Sequence, residues 1–226
     1  MDGQLAIVGP QSNWRAGSVS ARSKAPPKDL LHHEVSIKSP FMRYWFLTNT
    51  TYGTWLPGDP RGSVTSVRDR RDYDPASATR IEHDQVGTPW EPPLQGLNIA
   101  AQSKLKCPPI YFDKPKCELL LDQFHETATV RNWSLQAVAI MCNHFHIVLS
   151  VAADPEPEKI LSDFKAYGSR RLNQHFGKPP SQTWWTTNGS KRKLRDEKHI
   201  ADTINYVLYK QPNPLVVWSK ELGRLL

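Results

Sequence analysis

Two runs of strand-forming residues, separated by a short break, constrain this chain more than any other feature. Trp133 to Met141 contains Gln136-Ala-Val-Ala-Ile140, and His144 to Val151 contains Ile147-Val-Leu-Ser-Val151. Such apolar and β-branched runs suit strands that pack on a core. With Asn143 marking the break, the two read as an antiparallel pair. Alternate residues of a strand face the same side. His144 and His146 therefore project together, and Phe145 turns the opposite way. Two neutral imidazoles on a rigid strand can supply two ligands of a divalent metal. The competing reading is one core histidine beside a solvated one.

A chain of 226 residues accommodates one well-packed domain with appendages and does not demand two. Its net charge of +7 and 29 Lys plus Arg favour a polyanionic partner. Eight Trp and seven Tyr offer flat faces for unpaired bases, although most aromatics belong in a core. Cys107, Cys117 and Cys142 form neither a CxxC pair nor an even-numbered framework. That argues against a disulfide-built secreted domain and a zinc ribbon. No apolar run approaches a membrane span, and the N-terminus lacks the pattern of a secretory signal. The expectation is a soluble cytoplasmic protein.

Residues 1–41 hold Gly, Pro, Ser and scattered charge without periodicity and read as a poorly ordered tail. Met42 stands just before the first strand, at a point where translation could also begin. Arg43 to Thr50 is expected as a strand, followed by a turn-rich loop to Gly62. Residues 63–105 read as a long insertion, of a length usually functional or disordered. A helix begins at Asp113, with Pro115 in its first turn, and runs to about Arg131. A second helix spans 158–175, Thr183 to Thr186 is a short strand candidate, and Asn188-Gly189 signals a turn. Asp196 caps a last helix that Pro212 and Pro214 end, and 216–226 reads as a C-terminal tail. The order predicts an α+β domain over 42–215, a ferredoxin-like antiparallel sheet with helices packed on one face.

Tyr206 on the last helix completes a chemical set with the histidine pair. A metal held by two histidines can polarise a phosphodiester, and a tyrosine hydroxyl can attack phosphorus to form a covalent phosphotyrosine. Asn143-His-Phe-His-Ile-Val148, followed by Ile204-Asn-Tyr-Val-Leu-Tyr-Lys-Gln211, resembles the HUH single-strand DNA transposases with one catalytic tyrosine. The likeness is closest to their REP-associated branch and covers roughly residues 43–213. Thr50 to Gly62, Phe164 to Leu172, and Trp184 to Ser190 with Lys191-Arg192 strengthen it.

The resemblance implies a metal-dependent transposase that cleaves and rejoins single-stranded DNA at hairpin-containing sites, using Mg²⁺ or Mn²⁺. It implies that His144 and His146 are metal ligands and that Tyr206 is the nucleophile. Family members often supply a third ligand, Gln or Asn, one turn after the tyrosine. Here Lys210 has that spacing, and Gln211 lies five residues on, about 140° around an ideal helix. Gln211 is expected to reach the metal from a terminus distorted by Pro212. Tyr209 is the rival nucleophile, since Tyr209 to Asn213 also fits a family pattern. For oligomeric state the family offers both monomers and homodimers.

Expected DNA contacts are Lys165, Arg170 and Arg171 on the second long helix, and Lys191, Arg192, Lys193 and Arg195 after it, through phosphates. Trp184 and Trp185 are expected either to stack bases or to seal the sheet. Tyr52, Trp55 and Arg61 are expected as DNA contacts or as a clamp beside the histidines. Asp59 is a candidate helper at the metal, and Cys142 a small buried hydrophobe. The alternative from another class is a non-catalytic or domesticated hairpin-binding protein. A replication initiator or relaxase of the same superfamily would ordinarily differ in motif order or bring a helicase domain, and the chain has no phosphate-binding Gly-Lys-Ser/Thr loop.

Overall fold

The structure, a computed structural model, describes residues 42–60, 94–152 and 155–226. Arg61, the tail 1–41 and most of the insertion lie outside the described residues.

Strand β1 (Met42–Thr50) leads through the 51–60 loop, and helices α1 (Gln95–Ser103) and α2 (Lys114–Val130) follow. Next come β2 (Trp133–Ile140), β3 (His144–Ala152), α3 (Pro157–Phe176), β4 (Ser190–Leu194), α4 (Glu197–Tyr209), β5 (Val216–Ser219) and β6 (Gly223–Arg224). The six strands form one antiparallel sheet in the order β4-β1-β3-β2-β5-β6. The order β4-β1-β3-β2, with α2 and α3 as crossovers, is the expected ferredoxin-like core.

Local chemistry sets the helix ends. Asp113 accepts a hydrogen bond from Lys116 N at 3.1 Å, and Asp196 accepts from His199 N at 2.8 Å, so each caps its helix. Pro115 sits in the first turn of α2, where no backbone donor is needed.

The sheet is covered on both faces. On one, Trp45, Leu47, Phe145, Ile147 and Leu149 pack with Leu120 and Phe124 of α2 and Ile160, Phe164 and Leu172 of α3. On the other, Ala137, Ala139, Val148 and Val217 meet Ile200 and Val207 of α4. The one-face arrangement therefore holds for α2 and α3 and needs correcting for α4, whose apolar stripe crosses the opposite face. The small alanines of β2 let a helix lie close there. A register shift between Leu135 and Ala137 turns Leu135 and Val138 toward the same core.

The insertion contains a regular helix, α1. Two further expectations are corrected. Thr183 to Thr186 supplies a single bridge, Thr51 to Trp185, while the neighbouring strand is the basic run itself, β4. The supposed C-terminal tail adds β5 to the free edge of β2 and β6 beyond it. Among the described residues, no helix is long and apolar enough to cross a membrane.

Candidate active site

His144 and His146 point to the α4 face of β3, with ring centroids 4.9 Å apart. Across the β1–β3 ladder, Thr48 pairs with His146 and Thr50 with His144. Thr48 Oγ1 lies 2.7 Å from His146 Nδ1, and Asn143 Oδ1 lies 2.7 Å from His144 Nδ1. Because Asn143 Oδ1 can only accept, His144 Nδ1 carries the proton and Nε2 keeps its lone pair. Thr48, accepting in the same way, would give His146 the same tautomer.

His146 is buried, with 6 % of its surface exposed. Burial, reinforced by the neighbouring His144, pushes its pKa down to about 3, against a smaller opposing effect of the Gln211 side chain, whose oxygen favours the protonated ring. The ring is thus neutral at physiological pH.

Tyr206 reaches the same spot from α4. Its ring lies 5.7 Å from that of His146 and packs edge-on to Phe46 at 6.2 Å, while 37 % of the residue stays exposed. Phe46 also stacks on His146 at 5.2 Å. Tyr209, three residues on and 42 % exposed, ends the helix. Gln211 lies past that end, where helical spacing no longer applies. Its Nε2 donates to Tyr206 O at 3.1 Å, and its side chain stands close enough to the His146 ring to raise the pKa of that ring. The elements therefore bring together His144, His146, Tyr206 and Gln211.

These residues fit a divalent cation. Two imidazoles offer Nε2 while their Nδ1 atoms are held by a hydroxyl and an amide, the usual outer support of metal-binding histidines. Gln211 can add an amide oxygen. Among the described residues no group of three or more His, Cys, Asp or Glu gathers, so Asp59 does not join the histidines.

The basic residues divide by strand parity. Arg192 pairs with Phe46 and Ser190 with Thr48, on the histidine face. Lys191 and Lys193 face the other way. Lys191 Nζ is buried 3.0 Å from Glu158 Oε1, and Lys193 lies 6.0 Å over the Trp45 ring. Lys165 Nζ donates to Thr186 O and Asn188 O, each at 2.8 Å, and thereby ties down the loop before β4. Burial lowers its pKa to about 8, with help from Lys191. Arg170 is exposed and lies over the Tyr167 ring at 5.3 Å; Arg171 is half-buried and Arg195 exposed.

Trp184 and Trp185 are corrected from base-stacking candidates to core. Both are buried against Phe112. Their indole N–H groups bond Asn173 Oδ1 at 2.8 Å and Ser169 Oγ at 2.8 Å. Cys142 is exposed rather than buried, because it occupies the turn between β2 and β3. Tyr52 is a clamp: its hydroxyl accepts from Lys106 N at 2.8 Å and its carbonyl from Ile110 N at 2.9 Å. Trp55 is half-buried in the same loop. Sequence reasoning missed Thr48 and Asn143, which hold the two rings. Position predicts Asn143, next to a candidate ligand, but Thr48 becomes visible only through the strand register.

An α+β protein with a strand-borne histidine pair faced by a helix-borne tyrosine is the class that fold and site define. Residues 110–193 match the family model described as "Transposase IS200 like". The matched segment contains both histidines and stops before α4. No curated protein matches the chain. One similar solved structure is a REP-associated tyrosine transposase bound to a REP hairpin, 12% identical, with a TM-score of 0.37. That alignment covers 73% of this chain, which spans 64% of the other. Another is a protein of Deinococcus radiodurans R1 assigned as a transposase, 14% identical, TM-score 0.38, covering 74% of this chain and 89% of that one.

Proposed function

We propose that this chain is a metal-dependent, single-strand DNA transposase that cuts and rejoins hairpin-containing DNA through a 5′-phosphotyrosine on Tyr206. The observation that carries the reading is the approach of Tyr206 to His146 from the opposite element, with Gln211 on the same ring. The hairpin as substrate rests on the likeness of the sequence motifs to the REP-associated branch.

His144, His146 and Gln211 would hold Mg²⁺ or Mn²⁺. When bound, the ion draws charge from the phosphodiester and from the departing oxygen. Thr48 and Asn143 fix the ring orientations before substrate arrives. Tyr206 Oη forms a bond to phosphorus as the bond from phosphorus to the 3′ oxygen breaks. The tyrosine loses its proton and the departing 3′ oxygen gains one, so the ester is exchanged rather than hydrolysed. A different 3′ hydroxyl can then attack the phosphotyrosine and reseal the strand. Phe46, packed against both rings, keeps the tyrosine over the histidine.

The test is incubation with labelled single-stranded hairpin DNA in Mn²⁺ or EDTA, read on a denaturing gel. A Mn²⁺-dependent band shifted by the mass of the protein, lost in Tyr206→Phe and kept in Tyr209→Phe, is expected. Adducts formed by Tyr206→Phe would overturn the nucleophile assignment. Tight binding without any adduct in the unaltered chain would favour the non-catalytic hairpin binder.

A further inference from the structure

Lys165 Nζ, on the α3 side of the sheet, donates to Thr186 O and Asn188 O at 2.8 Å each. A trans peptide unit points its C=O and the following N–H in opposite directions, and the described residues contain no cis peptide. The N–H groups of Thr187 and Gly189 therefore point away from Lys165 and out from α3. Neither has a hydrogen-bond partner among the described residues. A cation on the two carbonyls also polarises these peptide units, which strengthens their N–H groups as donors.

The loop is built for this shape. Asn188 and Gly189 both take positive φ, +64° and +147°. Gly189 lies so close to β1 that an added Cβ would come 2.5 Å from Asn49 Oδ1 and 2.8 Å from Thr48 O. Only glycine fits there. Asn49 Oδ1 is itself buried without a hydrogen-bond partner among the described residues. An unpaired acceptor beneath the loop and two unpaired donors on it leave Lys165 as the group that holds 187–189 in place.

The loop also borders the histidines. Thr186 N donates to Thr50 O at 3.0 Å, and the two threonine hydroxyls meet at 2.8 Å. Thr50 pairs with His144 across β1 and β3; Ser190, at the other end of the loop, pairs with Thr48, the partner of His146. In the order β4-β1-β3 this places Ser190 two strand spacings from His146, about 10 Å. That is too far to serve a phosphate at the histidines and near enough for the next one along the strand. Thr187 and Asn188 are exposed, so the loop is open to a ligand. Outward-facing backbone N–H groups bind phosphate oxygens through charge-assisted hydrogen bonds and read no sequence.

We infer that the Thr187 and Gly189 N–H groups hold one backbone phosphate flanking the cleaved linkage, and that Lys165 is the positioning residue that presents them. The contact fixes the register of the strand, so that a single linkage faces Tyr206. The inference rests on the proposed single-strand DNA substrate.

Hairpin DNAs carrying one uncharged methylphosphonate at each flank position in turn test it, with binding read in EDTA and adducts in Mn²⁺. A position next to the cleaved linkage should weaken binding about tenfold, the scale of a hydrogen bond to a charged group. Replacing the Thr187 or Gly189 N–H by an ester oxygen, through the matching α-hydroxy acid, should weaken binding of unmodified DNA and remove most of that penalty. Lys165→Met should do the same, and it should release cleaved fragments of several lengths where the unaltered chain releases one. A purely structural lysine would lower the yield of adduct without changing fragment length, and that result removes Lys165 as the positioning residue. The ester proteins keep Lys165 and carry the test if Lys165→Met misfolds. Hairpin binding with no sensitive position, or with a full penalty in both ester proteins, would overturn the phosphate contact and leave the DNA reading standing. No binding to any hairpin DNA would overturn both.

Discussion

Thr48 and His146 stand opposite each other on β1 and β3, and the threonine hydroxyl lies 2.7 Å from the imidazole Nδ1. The contact fixes the ring about its Cβ–Cγ bond and directs Nε2 away from β1. Thr48→Val keeps the shape of the side chain and deletes the hydroxyl. Loss of such an outer partner ordinarily weakens a metal site by about 10- to 100-fold. Mn²⁺ titration should show a loss of that order in Thr48→Val and recovery in Thr48→Ser. Equal affinity in all three proteins would remove Thr48 from the site.

Acid should destabilise the metal-free protein through His146. Its pKa is about 3 folded and 6.5 as a free side chain, so between these values the unfolded chain holds the extra proton. The stability contribution is therefore full above about pH 6.5 and is lost as pH falls toward 3. Denaturant melts in EDTA across that window should fall less steeply for His146→Asn than for the unaltered chain. Parallel curves would show that this ring does not titrate as its burial requires.

The basic residues should separate into structural and DNA-facing groups. Lys165→Met removes two hydrogen bonds from a charged donor to loop carbonyls, each worth about 1.5–3 kcal/mol at most and less at a partly exposed site. It should lower the melting temperature. Arg192→Gln, on the histidine face, should leave melting nearly unchanged and reduce the salt slope of DNA binding by about one unit. The assignment fails if Lys165→Met changes the slope and Arg192→Gln does not.

What the sequence reveals here depends on the range of the interaction. Alternation along 144–151 sets both the hairpin and the shared face of the histidines, because strand parity is a local property. The apolar stripe Ile200, Ile204, Val207 shows which side of α4 is buried, but not which face of the sheet it covers; Ala137 and Ala139 decide that from another element. β4 reads as a basic loop because Ser190-Lys-Arg-Lys-Leu194 is an edge strand, and lysine-bearing edges lack the apolar pattern of central ones. Trp184 and Trp185 look available for stacking because side-chain type cannot reveal burial. Lys165 of α3 reaches the carbonyls of Thr186 and Asn188, and no local pattern joins that helix to the loop before β4.

Gln211 offers the sharpest test of a residue that helix geometry alone would misplace. Lys210, with φ −109° and ψ 4°, leaves the helix, and Gln211 folds back so that Nε2 meets Tyr206 O at 3.1 Å. Its amide oxygen is then the group that can serve a hard cation, which prefers oxygen donors. Gln211→Ala removes both functions and should weaken Mn²⁺ binding and adduct formation together. Gln211→Glu loses the N–H donor but adds a charged oxygen, so Mn²⁺ affinity should be retained or raised while the end of α4 loosens. Hydrogen exchange at Tyr209 and Lys210 reports that loosening separately from the metal. If Gln211→Ala binds Mn²⁺ normally and only the exchange at the helix end increases, Gln211 is a terminus-capping residue, and His144 and His146 must find their third partner elsewhere.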